Sequence, residues 1–566
     1  MKRTFSFLLL YFITANVFSS PVNVEKAKQI GQSFFQAKNT IANPATLNRV
    51  AYSDNISQET PFYIFNRNNG GFVIVSGEDA VMPILGYSQT QSFDQTTMPE
   101  NVRWWLESYS RQIQFARENN SVANSQTQKE WNDLLTGKMQ KAPAAENAVN
   151  PLLTTTWNQG YPYNNYCPNN DWTGCTVTAM TQIMKYWNYP AQGTGSHSYT
   201  HPVYGVLSAD FSQTTFNWAQ MPNAINSSST AAQIDAVATL MYICGVATDM
   251  NYSPNGSGAY TLNAALALVN YFHYDTNIQM KYRNDCDLTT WQNIIKTELN
   301  ASRPVHYAGY NDASGHAFVC DGYNDNNYFH FNWGWGGASN GYFVLTTLLG
   351  EDGVGFNYNQ EIIVGIQPEQ GGHSIAITCP NFQVNGKLTT NEDGSFSITL
   401  KNSGTSDYNS YLSLEIYNFD DAGNLSGDLI VFEDIVNIAA GETTILNYST
   451  NITLPQGIYF ILLANDANND YNNVNWNYLY FSKVQVNVIS QTDNLLNNQI
   501  SVYPNTTGDG LNISNYNGNG VFSILDLSGK KIFSGKIDGN LIDISFLPTG
   551  VFILKIDGKQ YKFLKK

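Results

Sequence analysis

The apolar pattern of this chain changes period near Gly372, and that change rules out one uniform architecture. Before it, apolar residues recur at three- and four-residue spacing in some stretches and at every second residue in others. After it only the alternating kind remains, in SFSITLKN, YLSLEIYNF, TILNYST, IYFILLAND and YFSKVQVNV, separated by Asn, Gly and Asp clusters. The expectation is therefore an α+β N-terminal part, then an all-β sandwich over 373–490 and a small all-β module over 494–566. With 566 residues the chain has length for about four domains.

Charge narrows the function classes. Against 45 acidic residues stand only 29 basic ones, and a net charge of −16 repels phosphate backbones and anionic membranes. Nucleic acid is not an expected partner. The first residues, MKRTFSFLLLYFITANVFSS, carry a basic head at Lys2 and Arg3, a short apolar run and small residues at Ser19 and Ser20. This reads as a secretory signal over 1–20, too short in its apolar part for a spanning helix, with no membrane-spanning segment expected in the mature chain. Six cysteines without CxxC spacing suggest neither a disulfide scaffold nor a zinc module. Whether any of them pair is open.

Helical spacing is expected over Asn23–Phe35 and Arg103–Phe115, with a small antiparallel sheet between them around Asn-Gly and Gly-Gly turns. From Asn119 to Asn150 the sequence is polar and alanine-rich and reads as an exposed linker open to proteolysis.

The chemistry lies in the next block. In NDWTGCTVTAMTQIMKYWNYP, Cys175 follows Gly174 and precedes an apolar helical series closed by Pro190, which puts the thiol at a helix N-terminus. Free backbone N–H groups and the helix dipole favour a thiolate there. In SGHAFVCDGYNDNNYFHFNWGWGG two aromatic alternating runs flank an NDNN turn, so a hairpin brings Asn332, Trp333 and Trp335 toward His316. A nucleophilic thiol needs a base, and the base an orienting group. Cys175, His316 and Asn332 supply the types in the chain order and approximate spacing of papain-like peptidases, with 141 positions between the first two. Gln159, in WNQGYPYN, stands where an amide donor to an oxyanion would.

WNQGYPYN, TGCTVTAMTQIMKYWNYP, GHAFVCDGYN, YFHFNWGWGG and VGIQP, in this order over some 220 residues, resemble the streptopain-like C10 cysteine peptidases of streptococci and Bacteroidetes. The resemblance implies an α+β papain-like peptidase domain over 146–370. It implies Cys175 as nucleophile, His316 as base, Asn332 as orienter, Gln159 as oxyanion donor, and Gly315, Trp333 and Trp335 lining the substrate site. It implies no cofactor and no metal. GCTVTAM departs from the commoner GCVATAM on the helix face beyond the nucleophile. Upstream, PFYIFNRNNGGFVIVSGEDAVMPILGYS and MPENVRWWLESY resemble that family's inhibitory propeptide, so that 21–145 would be an α+β propeptide and linker, cut near Lys138 or Lys141. The tail, with VYPNTTGDGLNI, LDLSGKKIF and LPTGVFILKI, resembles the sorting domain of type IX secretion cargo. The partners implied are protein or peptide substrates, the chain's own propeptide and the type IX machinery, and the location is extracellular or on the outer cell surface.

Two weaker signals are set aside. Asp466, Asn468, Asp470 and Asn472 alternate as in a calcium loop, but Tyr471 stands where Gly is needed. His197 and His201 lack the HExxH context of a zinc pair. The alternative to a peptidase is a surface adhesin, inactive or dual in role, binding host protein or glycan.

Overall fold

In the computed structural model the described residues run from Ser20 to Lys565. They leave aside 39–45, 53–55, 57–58, 139–147, 311–314, 325, 349–359, 386–393, 420–424, 451–453, 455–456, 471–472, 487–500 and several short stretches after 503. The expected signal and Lys141 lie outside the described residues. No described helix is long and apolar enough to cross a membrane. The chain divides into two compact units, Met1–Gln485 and Val486–Lys566.

The first unit opens with helix α1 (Val24–Lys38), whose Ala27, Ile30, Phe34 and Phe35 form one buried stripe. Strands β1 (Leu47–Val50), β2 (Phe62–Arg67), β3 (Phe72–Ser76) and β4 (Ile84–Ser88) follow as an antiparallel meander. Helix α2 (Glu100–Glu118) buries Trp104, Trp105, Tyr109 and Ile113 along one side. The segment read as an exposed linker is not wholly so. It contains helix α3 (Ser125–Leu135), capped by the Asn124 side chain on the Thr127 N–H and anchored by Trp131, whose indole N–H donates to the Val81 carbonyl at 2.8 Å. A few well-placed apolar residues, Trp131 and Leu134, suffice to bury one face of an otherwise polar stretch.

Next come α4 (Cys175–Trp187), the hairpin β5 (Ser196–His201) and β6 (Gly205–Asp210), then α5 (Ala231–Ala247) and α6 (Thr261–Phe272). They are followed by β7 (Gln279–Tyr282), α7 (Leu288–Asn300), β8 (Val305–Tyr310), β9 (Gly315–Tyr323), β10 (Phe329–Asn332), β11 (Gly341–Phe343) and β12 (Gln360–Val364). Ten strands form one sheet in the order β1-β2-β3-β4-β11-β10-β9-β8-β12-β7. The N-terminal meander is thus continuous with the later strands through β4 and β11, where Tyr342 pairs with Tyr87 and Phe343 with Gly86. Gly86 is needed there because a Cβ would stand 2.6 Å from the Phe343 ring.

Alternation along the strands sorts side chains into two cores. Phe318, Cys320, Tyr307 and Phe331 join α2 and α7 on one face, while Val319 and Ile363 join α4, α5 and α6 on the other.

The remainder of this unit is all β: β13 (Ile377–Asn385), β14 (Gly394–Asn402), β15 (Tyr408–Phe419), β16 (Leu425–Ile438), β17 (Thr443–Thr450), β18 (Gly457–Asp466) and β19 (Trp476–Val486). They form sheets β13-β14-β17 and β16-β15-β18-β19, joined by stacked pairs Phe382–Tyr480 and Phe432–Tyr448. Asn270 of α6 fixes them to the preceding part, donating to the Leu479 carbonyl at 2.8 Å and accepting from the Cys379 N–H at 2.9 Å. The second unit consists of short strands from Ser501 to Lys565 around a core of Leu511, Ile524, Leu554 and Ile556.

Candidate active site

Helix α4 begins at Cys175 because Gly174 turns the chain into it at φ 88°, a conformation that favours glycine, and because a Cβ there would meet Met250 Cε at 2.6 Å. Val177, Met180, Ile183 and Met184 bury the helix and fix its direction. The Cys175 thiol is pushed up by burial, opposed by the backbone N–H groups of Ala317, Thr176 and Cys175 itself. The N–H groups at the helix start favour the thiolate as expected, but desolvation outweighs them in this arrangement.

Paired residues of an antiparallel sheet point to the same side. His306 pairs with Val319, Ala308 with Ala317 and Gly309 with His316. His306 hydrogen-bonds the Thr176 carbonyl at 3.1 Å, and Ala317 reaches the Cys175 thiol, so these residues face α4. Gly309 and His316 therefore face the other way, under α2. A Cβ on Gly309 would lie 2.0 Å from the Trp104 ring, and the His316 ring sits 6.3 Å from it, centroid to centroid. Burial lowers the His316 pKa, with Glu100 of α2 acting against that shift. The residue next to His316 thus touches the thiol, while the imidazole itself lies against the N-terminal segment.

The hairpin register pairs Asn332 with Val319. Asn332 donates to the Thr155 carbonyl at 2.7 Å and to Gln182 Oε1 at 3.2 Å, and its Oδ1 accepts from the Gly334 N–H at 3.2 Å. Trp333 is buried among Trp105, Phe318, Phe331 and Phe343. Its carbonyl accepts from the Asn101 side chain of α2 at 2.7 Å. Trp335 is half-buried beside Trp172, at 5.5 Å between ring centroids. Gln159 is buried, and its carbonyl accepts from the Thr173 N–H at 3.1 Å, which sets it beside the turn into Cys175. Gly315 is exposed, and a Cβ there would strike Tyr310 at 2.5 Å.

Sequence reasoning missed Gln182 and His306. Gln182 stands two turns after Cys175 on α4, a periodicity that could have shown it beneath the thiol; His306, in an apolar strand, gave no comparable signal. The weaker candidates go elsewhere. His197 pairs with Asp249 at 2.5 Å, His201 accepts the Val203 and Tyr204 N–H groups, and Asp466 accepts from the N–H groups of Asn468, Asp470 and Asn475. Asn472 lies outside the described residues. Among the described residues no cluster of His, Cys, Asp and Glu is placed to hold a metal, and the six cysteines are unbridged.

A thiol at a helix start, set against a sheet that an N-terminal segment extends and covers, defines a thiol-dependent hydrolase made with its own blocking segment. Residues 157–343 match the peptidase C10 family, 19–113 the Spi protease inhibitor family and 501–566 a secretion system C-terminal sorting domain. Streptopain of Streptococcus pyogenes is 33% identical over 382 residues, which cover 61% of this chain and 92% of streptopain. The thiol protease/hemagglutinin PrtT of Porphyromonas gingivalis is 30% identical over 471 residues, covering 79% of this chain and 54% of PrtT, so the chain spans about half of that relative. A mutant fragment of Prevotella intermedia prointerpain A superposes with a TM-score of 0.48 at 32% identity, over 57% of this chain and 98% of the fragment. The chain belongs to the peptidase C10 family. It is a secreted cysteine endopeptidase with an inhibitory propeptide, and its sorting domain directs it to an extracellular or cell-surface location.

Proposed function

We propose that Cys175 and His316 are the catalytic pair of this zymogen, on a papain-like domain over 146–370, and that the helix α2 holds them apart. The observation that carries this is the register of β9: Ala317 touches the Cys175 thiol, while its neighbour His316 lies beneath Trp104. Release of the propeptide, by a cut near Lys138 or Lys141, frees His316 to turn toward the thiol. It then takes the thiol proton, and Asn332 accepts from its other ring nitrogen after leaving Gln182.

The thiolate attacks the peptide carbonyl, and the oxyanion is held by Gln159 and the Cys175 backbone N–H. As the C–N bond breaks, His316 gives its proton to the leaving amine. Water, deprotonated by His316, then cleaves the thioester and restores the thiol pair. Gly315, Trp333 and Trp335 shape the substrate side of the site, with Trp333 acting from beneath through its packing. The β-sandwich over 373–490 and the sorting domain over 494–566 follow as separate modules.

The test is casein hydrolysis by the full chain under a reductant, with intact mass followed in parallel. Wild type, starting at residue 21 after signal removal, sheds about 120 N-terminal residues, as a cut near Lys138 or Lys141 requires, and digests casein. Cys175→Ala and His316→Ala do neither. Casein digestion by Cys175→Ala would refute the assignment.

A further inference from the structure

We propose that the groove between helix α7 and strand β7 is a second peptide-binding site, apart from Cys175. It takes the C-terminal end of a polypeptide, with the main chain along β7 and the terminal carboxylate on Arg303 and Lys281.

Strand β7 is the last of the ten-stranded sheet and pairs with β12 alone among the described strands. In an antiparallel pair every second residue aims its N–H and C=O away from the neighbouring strand. Among the described residues, none of these outward groups on β7 bonds other backbone. The register sets Lys281 beside Ile362 and Gln279 beside Val364, and both of these partners belong to the core under α2 and α7. Gln279 and Lys281 therefore face α7, on the side of the sheet away from Cys175. Helix α7 turns Thr290, Asn293, Ile294 and Thr297 toward them, a stripe distinct from its core residues Trp291, Ile295 and Leu299. Between strand and stripe lies a cavity of about 560 Å³, a size common for ligand sites. Thr290, Asn293 and Thr297 are exposed, so the groove opens to solvent. A groove bounded by an edge strand and a helix receives an extended peptide as one more strand.

Charge selects which part of a peptide. The lining carries Lys281, Arg303 and one acid, Glu298. Glu298 is buried, accepts from Arg303 Nε at 2.7 Å and Nη2 at 2.8 Å, and accepts from the Gly365 N–H at 2.8 Å. The acid is thus fully engaged. It fixes the guanidinium in place while Nη1 has no partner among the described residues. Lys281 forms no ion pair among the described residues. Asp275 lies behind the lining, 1% exposed, and accepts from the Gln367 side chain at 3.2 Å and the Asn277 N–H at 2.9 Å. One uncompensated positive charge therefore lines the groove, in a chain of net charge −16. It matches a singly charged carboxylate better than a doubly charged phosphate. A polypeptide C-terminus joins that carboxylate to an extended main chain, and Ile294 and Val364 offer its last side chain apolar contact. An endopeptidase makes such an end with every cut, so the site binds its product.

The test is fluorescence anisotropy of an N-terminally labelled heptapeptide ending in Val, with a free or an amidated C-terminus, titrated with full-length Cys175→Ala, which cannot cut it. The free acid binds about tenfold tighter than the amide, the size of one charge-assisted hydrogen bond. Adding Lys281→Gln weakens the free acid about fivefold, as loss of an exposed ion pair does, and leaves the amide unchanged. Adding Asn293→Trp, which fills the groove, abolishes binding of both at an unchanged melting temperature. Should Asn293→Trp lose its fold, Lys281→Gln decides alone. Equal affinities for acid and amide, or no effect of Lys281→Gln on the acid, would overturn the site. Binding of glucuronate or inorganic phosphate without binding of the peptide would overturn it as well, by showing a site for small anions only.

Discussion

His306 lies buried under the first turn of α4, bonded through one ring nitrogen to the Thr176 carbonyl, and burial pushes its pKa down to about 4. Above pH 6.5 it is neutral both folded and unfolded, and no penalty arises. Between pH 6.5 and 4 the unfolded chain binds a proton that the fold refuses, so stability falls across that window by up to about 3 kcal/mol. Thermal melting followed over this range should decline more steeply for wild type than for His306→Gln; parallel curves would show that His306 does not titrate. For Gln159→Ala, loss of the proposed oxyanion donor predicts a fall in kcat of about 10²- to 10³-fold with KM little changed, read on a short peptide. The helix that starts at Cys175 and the hairpin that follows His316 were legible in sequence, because a helix start and a turn leave local signatures. The side of the sheet that His316 faces was not, since it depends on the pairing of Gly309 with His316 and on Trp104, more than two hundred positions upstream.

Among elements, α2 carries the proposed latency. Trp104 is buried over Gly309 and His316, and Asn101 holds the Trp333 carbonyl. Removing a packed indole costs about 3–5 kcal/mol, enough to raise the undocked fraction by roughly two to four orders of magnitude. Trp104→Ala is therefore expected to show peptidase activity before its propeptide is cut and to mature faster, which a time course of casein cleavage against intact mass resolves. An unchanged lag would remove α2 from the account. The helices α1, α2 and α4 and the hairpin of β9 and β10 were readable from periodicity and turn residues. Helix α3 was not, because its buried face rests on little more than Trp131 and Leu134 within a polar stretch. Nor could sequence reveal that β4 joins β11, since that pairing links strands some 250 positions apart.

At the scale of the whole molecule, one sheet ties inhibitor to enzyme, so activation has to undo the β4–β11 pairing as well as the contact of α2. The change of period near Gly372 made the all-β remainder legible, and the tail motifs its last module. The side-on meeting of Tyr260 with Phe460 and Phe481 was beyond reach, because no local pattern records which outer face of a sandwich is covered. The central claim is a Cys175 nucleophile that stays latent until the N-terminal segment leaves. Its most direct test is the rate at which a peptidyl electrophile alkylates the full chain before and after propeptide removal, with the site mapped by mass spectrometry. The account predicts modification at Cys175 alone and much faster once the segment is gone; equal rates in both forms, or label on another cysteine, would contradict it.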